Sequence, residues 1–395
     1  MGNSKPSFFL IYLAAFVSVV AFSMIFPLLP IYAKQFQASS ITIGLLASSF
    51  ALTQLLFSPF WGMLSDRFGR KPIMLTGLLG LTLSFLVFAL TTNLITLFLS
   101  RFIQGFFSGA VMPSARAYVA DVTTKDERIK AMGKIGASIA LGIILGPAIG
   151  GFLAQDSIAF PFFTAAMVTA LNFALVFFFL PESLKEKRVY KIAIRLAWVA
   201  LPRIWKGLQG SLAPLFLLAF VLSFVLSNNQ VNVPLLGTEK FSLGTGTIGI
   251  GFAIMGLVSA TTQFFLLSRI TNIIGQHKTV ASGLILMSLS FVAMPFLPNS
   301  VSLFYLAMAL AGLGSAVARP VITALITKET TEPQGITMGT SSAFEGLGRL
   351  LGPLLGGFLF MFGHQVPFLF SGIVAVLMVF FVWKYTSFLH QGNAY

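Results

Sequence analysis

Gly62-Met63-Leu64-Ser65-Asp66-Arg67-Phe68-Gly69-Arg70-Lys71 is the most charged short segment in the first third of an oily chain. Long apolar runs flank it on both sides. The segment is too short for a domain, so it predicts a tight connection between two membrane helices. Its glycines permit a sharp reversal and a close approach of helices. Asp66 lies among Arg67, Arg70 and Lys71, a compact charge cluster whose pairing can switch.

The composition around this segment leaves no soluble alternative. Of 395 residues, 56% are hydrophobic and 9% are charged, against roughly 25% charged in soluble domains. The chain therefore reads as an all-α integral membrane protein. At about 20 residues per crossing, twelve spans fit, at 8–33, 41–63, 73–91, 95–120, 131–154, 160–180, 213–236, 246–268, 279–297, 302–326, 337–362 and 367–384. The longest connection, 182–212, falls near the middle. Two pseudo-symmetric six-helix bundles, 1–181 and 213–395, are expected on either side of a basic cytoplasmic linker. The first apolar run, Phe8 to Ile31, exceeds a signal-peptide core and has no clear cleavage site, so it is expected to be retained.

The formal net charge is +14. Its distribution explains it without nucleic acid. Alternate connections hold the positive residues: Arg67, Arg70 and Lys71; Lys125, Arg128, Lys130 and Lys134; the linker from Lys185 to Lys206; Arg269 and Lys278; Lys328. The connections between them hold only Lys34 and Lys240. Excess Lys and Arg mark the cytoplasmic side, so both termini are expected there, in a cytoplasmic (inner) cell membrane. Within the linker, Lys187, Lys191 and Arg195 share one helical face near Trp198 and Trp205, the pattern of an amphipathic stretch on the membrane surface. Cysteine is absent and the three histidines, His277, His364 and His390, are far apart. No disulfide, thiol nucleophile, metal site or cofactor is expected.

Internal repetition is visible. Gly146-Pro147-Ala148-Ile149-Gly150-Gly151-Phe152-Leu153 recurs as Gly352-Pro353-Leu354-Leu355-Gly356-Gly357-Phe358-Leu359, an offset of 352 − 146 = 206. Thr42-Ile43-Gly44 recurs as Thr247-Ile248-Gly249 at 205, and Gly105, Ser108 and Pro113 recur as Gly312, Ser315 and Pro320 at 207. Parallel duplication of this kind places a substrate site near the membrane midplane. The Gly69-Arg70-Lys71 corner has a weaker counterpart in Gly275-Gln276-His277-Lys278, which lacks the aspartate.

Charges inside spans are costly and are functional candidates by default. Arg101 and Gln104 lie in the fourth span. Arg101 is read either as functional or as snorkelling to water from near the span's outer end. Glu345 and Arg349 are spaced i, i+4 in the eleventh span, which allows a structural pair, or a carboxylate tuned oppositely by burial and by the arginine. Arg319 in the tenth span can pair with Glu345 or bind anions. Asn228, Asn229, Gln230 and Asn232 form a polar cluster in the seventh span, expected to line a cavity. Phe26-Pro27-Leu28-Leu29-Pro30 predicts a kink in the first span.

The segment Gly62-x-Leu64-x-Asp66-Arg67-x-Gly69-Arg70-Lys71 resembles the signature loop between the second and third helices of the major facilitator superfamily. Gly142, Gly146, Pro147, Gly150 and Gly151 resemble that superfamily's G-x-x-x-G-P-x-x-G-G exporter motif on the fifth helix. Arg101-x-x-Gln104-Gly105 is similar to its R-x-x-Q-G element. The resemblance implies alternating access, a gating charge relay of Asp66, Arg70 and Asp121, a glycine seam sliding against the other half, and a role for Arg101 in proton transfer. Among subgroups, the chain most resembles the twelve-span drug:proton antiporters. Similar pumps often carry acids on the seventh and tenth helices, where this sequence has Gln230 and Ala316, so that Glu345 is the acid left deep in a span. The implied function is export of hydrophobic, cationic or zwitterionic drugs against protons, by a monomer that is not an enzyme. Alternatives are an exporter of one metabolite (a sugar, siderophore or amino-acid derivative) and a lipid flippase.

Overall fold

A computed structural model of the chain describes residues 8–184, 200–330, 332 and 334–392. All regular elements among the described residues are helical. Inside a bilayer a helix satisfies its own backbone donors and acceptors, which this apolar chain requires. Among the described residues, ten helices are long and apolar enough to cross a membrane. The twelve-span expectation exceeds that number at its end. The helix Gln334–Phe360 has 27 residues, but its glycines, hydroxyls, Glu345 and Arg349 dilute its apolar character. The last helix, Val366–Gly392, is 27 residues long and opens on the apolar stretch Val366–Phe380.

The helices fall into two compact units. The first takes residues 8–37 and 49–184. Its helices α1 (Phe8–Ser23) and α2 (Ile25–Gln35) make one crossing, interrupted at Met24. Pro27 offers no N–H to the Ser23 carbonyl and Pro30 none to that of Phe26, so the break falls where the sequence places its kink. α3 (Ser40–Phe68), α4 (Arg70–Ala89), α5 (Leu94–Val122), α6 (Lys125–Leu153) and α7 (Phe160–Phe179) follow. Thr124 and Glu127 close a reciprocal capping box at the start of α6, which satisfies two otherwise orphaned N–H groups.

The expected connection 62–71 is almost entirely helix. Gly62 to Phe68 completes α3 and Arg70 opens α4, leaving Gly69 alone between them at φ 118°, ψ 159°. That region of backbone space is essentially glycine's.

The second unit takes residues 38–48 and 200–392. It comprises α8 (Ala200–Gln209), α9 (Ala213–Glu239), α10 (Thr245–Thr261), a π-helical turn Thr262–Leu266, α11 (Leu267–Ile274), α12 (Gln276–Ala293), a 3-10 turn Met294–Phe296, α13 (Val301–Glu329), α14 (Gln334–Phe360) and α15 (Val366–Gly392). The first turns of α3 belong here. Ser48 Oγ donates to the Leu350 carbonyl of α14 at 2.6 Å, and Gly44 and Gly357 abut each other's backbones. α8 presents Trp205 and Lys206 outward, while Gly207 packs on Phe344 and Thr340 of α14. Lys187, Lys191, Arg195 and Trp198 lie outside the described residues.

Each unit is built on the same internal seams. A methyl group on Gly142 would stand 2.9 Å from Val19 Cβ, and one on Gly150 would stand 2.9 Å from the Met24 carbonyl. On α14, Gly348, Gly352 and Gly356 press on Phe220, Phe224 and Asn228 of α9 in the same way. Gly77 of α4 meets Ala110 and Val111 of α5, and Gly283 of α12 meets Gly314 and Val317 of α13. Even the irregular residues repeat. Gly69 and Gly275 both have positive φ, at an offset of 206, and so do Gln37 and Ser242, at 205. The offset gains one residue within the second copy of α3, which runs Thr245–Ile274, 30 residues against 29 for α3 itself. The π turn lies inside that longer copy and takes up the extra residue.

Candidate functional site

At the α3–α4 corner the guanidinium of Arg70 is surrounded by acceptors. Its Nε donates to Asp121 Oδ2 at 2.9 Å, and one terminal nitrogen reaches both Asp66 Oδ1 at 2.5 Å and Ser65 Oγ at 3.3 Å. Ser114 Oγ and Ser183 Oγ extend the network to Ser65 and Asp121. Three of the expected relay residues are thus in contact, on the ends of α3, α4 and α5. Together they carry formal charge −1, since two carboxylates flank one guanidinium. Arg67 instead lies over the Phe68 ring, 5.2 Å from its centroid, and Lys71 donates to the Phe177 carbonyl at 2.8 Å. A methyl group on Gly62 would meet nothing within 4 Å.

Glu182 is a participant the sequence reading missed. Its carboxylate accepts the backbone N–H of Arg70 at 2.9 Å and of Lys71 at 3.1 Å, capping α4. It also accepts from the N–H groups of Ser183 and Leu184 at 2.8 and 3.0 Å. A carboxylate suits the positive end of a helix. The available signal was a lone acid closing the apolar run that ends at Pro181.

Deeper in the first unit, Arg101 is buried, at 5% exposure. It donates to Gln104 Oε1 and stacks over Phe50, 4.7 Å from the ring centroid. A snorkelling arginine would keep its head exposed; this one turns inward. Gly142, Gly146 and Gly150 all face α1 and the Met24 break, inside their own unit. These three glycines form a seam with the first helix. The reason is steric: Val19, Ser23 and Met24 fill the space that the missing side chains leave. Pro147 lies inside α6, which continues through Gly151.

In the second unit α13 and α14 bring three expected residues together. Glu345 Oε2 stands 3.6 Å from Arg319 and 3.7 Å from Arg349. All three side chains are partly exposed. At about 1.5 Å per residue, Arg319 lies roughly 15 Å from the Glu329 end of α13, and Glu345 a similar distance from the Gln334 end of α14.

The asparagines do not join this trio. Asn228 and Asn232 are buried where Gly356 makes room for them. Asn228 donates to the Pro367 carbonyl at 3.2 Å, and Asn232 donates to the Asn228 carbonyl at 2.8 Å. Asn228 thus ties α9 to the start of α15, while the bonds of Asn232 stay within α9. Asn229 is also buried, with its amide on the Val225 carbonyl, while Gln230 is half-buried.

Membrane-crossing helices in duplicated units, with a charge network at one corner and a charged trio at depth, define a multi-pass membrane transporter. The chain belongs to the Major Facilitator Superfamily, whose family model matches residues 11–227 and 215–390. It is 33% identical to Multidrug resistance protein 2 of Bacillus subtilis over 393 residues, covering 97% of this chain and 96% of that one. It is 30% identical to the quinolone resistance protein NorA of Staphylococcus aureus over 379 residues, 94% of this chain and 95% of the relative. Among solved structures, the human organic anion transporter MFSD10 is similar at 26% identity and TM-score 0.70, covering 96% of this chain and 99% of that one. A POT family transporter in complex with a thioalcohol-conjugated peptide shares the fold at TM-score 0.82 and 14% identity, over 96% of each chain.

Proposed function

We propose that this chain exports hydrophobic drugs, cationic or zwitterionic, in exchange for protons, by alternating access. In this reading α14 and α15 complete twelve crossings, in two six-helix bundles at 1–181 and 213–395 joined by the linker 182–212. Both termini are cytoplasmic and the working unit is a monomer in the cytoplasmic membrane. The proton gradient serves in place of any cofactor. Asp66, Arg70 and Asp121 act as the gate, whose ion pairs exchange as the transporter changes state.

One observation carries the coupling. Glu345 is the acid deep within a span, and it lies against two arginines on two helices. A carboxylate so placed can bind a proton or a cationic group, but not both at once. Relatives named for multidrug and quinolone resistance along nearly the whole chain favour drugs over a single metabolite or a lipid.

The test is ethidium efflux from loaded bacterial cells, for wild type and Glu345→Gln, each with and without a protonophore. Protonophore-sensitive efflux that disappears in the variant is expected. Absence of efflux by well-expressed wild type would overturn drug export, and unchanged efflux in Glu345→Gln would reduce that carboxylate to a packing partner.

A further inference from the structure

The two ionic sites are opposite in balance. At the α3–α4 corner two carboxylates enclose one guanidinium, which is hydrogen-bonded on several sides. In the α13–α14 trio two guanidiniums share one carboxylate, leaving formal charge +1. Both approach the same oxygen, Oε2, at 3.6 and 3.7 Å. Those separations exceed the 2.7 to 2.9 Å typical of charge-assisted hydrogen bonds, so the contacts are Coulombic. Each guanidinium carries five N–H donors, and among the described residues the charged partner of both is the single carboxylate of Glu345.

Exposure sharpens the imbalance. The side chains of Arg319 and Arg349 are 51% and 40% exposed, and that of Glu345 is 23% exposed. A charged side chain left this exposed at mid-span would be expensive against hydrocarbon, which favours a polar space beside the trio. Both arginine contacts fall on the one oxygen, Oε2. The trio thus offers forked donors for an anion beside one acceptor for a cation, with the anion-binding side in excess.

We propose that the Arg319–Glu345–Arg349 trio is a zwitterion seat, in which the substrate's carboxylate is held by the two arginines and its cationic group by Glu345. This rests on the export reading above and names its substrate class: hydrophobic zwitterions carrying a carboxylate, preferred over cations of the same shape. A proton on Glu345 competes with the substrate's cationic group, which agrees with exchange rather than co-transport.

Rhodamine 110 and its methyl ester rhodamine 123 are a matched probe pair, alike except that the ester lacks the carboxylate. Binding to purified protein is read by fluorescence polarisation, and export is read in proteoliposomes. Wild type should bind the free acid at least about tenfold more tightly, the ratio one charge-assisted contact carries. Arg319→Gln and Arg349→Gln should lose that preference while holding the ester as before, and Glu345→Gln should keep it. Arg319→Lys, which retains charge without the fork, guards against a folding defect and should keep part of the preference. Equal binding of acid and ester by wild type, with the ester exported, would overturn the seat and leave drug export standing. Failure to bind or export either dye would overturn both.

Discussion

A methyl group on Gly69 would run into the Glu182 carboxylate that caps α4, and it would do so from a backbone at φ 118°. Two penalties therefore meet at one atom: the conformation and the clash. We expect Gly69→Ala to destabilise the protein by about 1 to 3 kcal/mol, read as a lower midpoint of thermal unfolding in detergent. Gly62→Ala, seven residues earlier, should leave that midpoint unchanged, because its new methyl meets nothing within 4 Å. A loss of transport in Gly62→Ala with normal stability would mean that something approaches this residue only in another state of the cycle. Equal stability of Gly69→Ala and wild type would contradict the cap geometry. Arg70 illustrates the other residue-scale rule, that a charge at a helix corner is retained when it has several acceptors rather than one. Asp66, Asp121 and Ser65 supply them.

At the scale of elements, the seams are where backbone meets backbone. Gly146 lies against Ser23 and Val20, and a methyl group on its counterpart Gly352 would stand 2.6 Å from the Phe224 carbonyl oxygen. Overpacking such a contact typically costs about 1 to 3 kcal/mol. Gly146→Ala and Gly352→Ala should therefore lower the unfolding midpoint by similar amounts. If only the α6 variant suffered, the two copies of the motif would not be doing equivalent packing. The repeat itself was legible, because Gly-Pro-x-x-Gly-Gly survives in both halves, and so was the contact of Arg319 and Arg349 with Glu345. The partners of the glycines were not legible. A small-residue stripe announces a close neighbour without saying which helix it is, and here Val19, Ser23 and Met24 of the same unit occupy the place. The asparagines pose a related choice. Polar residues on a span signal either a cavity or a buried amide network, and the bond that the sequence does not announce is the one from Asn228 to the Pro367 carbonyl of another helix.

For the whole molecule, the proposed orientation rests on the charge of the connections. Asn299 and His277 lie near opposite ends of α12 and are both exposed, while the chain has no cysteine of its own. In intact cells, Asn299→Cys should react with a membrane-impermeant maleimide, and His277→Cys only after permeabilisation. The reverse labelling pattern would invert the proposed topology. Hydrophobicity made the membrane class plain from the sequence, whereas the exact crossings near the end were less plain, since glycines, hydroxyls, Glu345 and Arg349 dilute the apolar character of α14. The π turn Thr262–Leu266 takes up one extra residue. An additional residue in a continuous helix would rotate everything beyond it by about 100° and turn Arg269 and the Gly275 corner to the wrong side. Bulging one turn confines that rotation to Thr262–Leu266 and pushes Phe264 and Phe265 outward, 84% and 64% exposed. Seen this way the turn absorbs the one-residue difference between the two copies on the spot, so that the Gly275 corner still answers to Gly69.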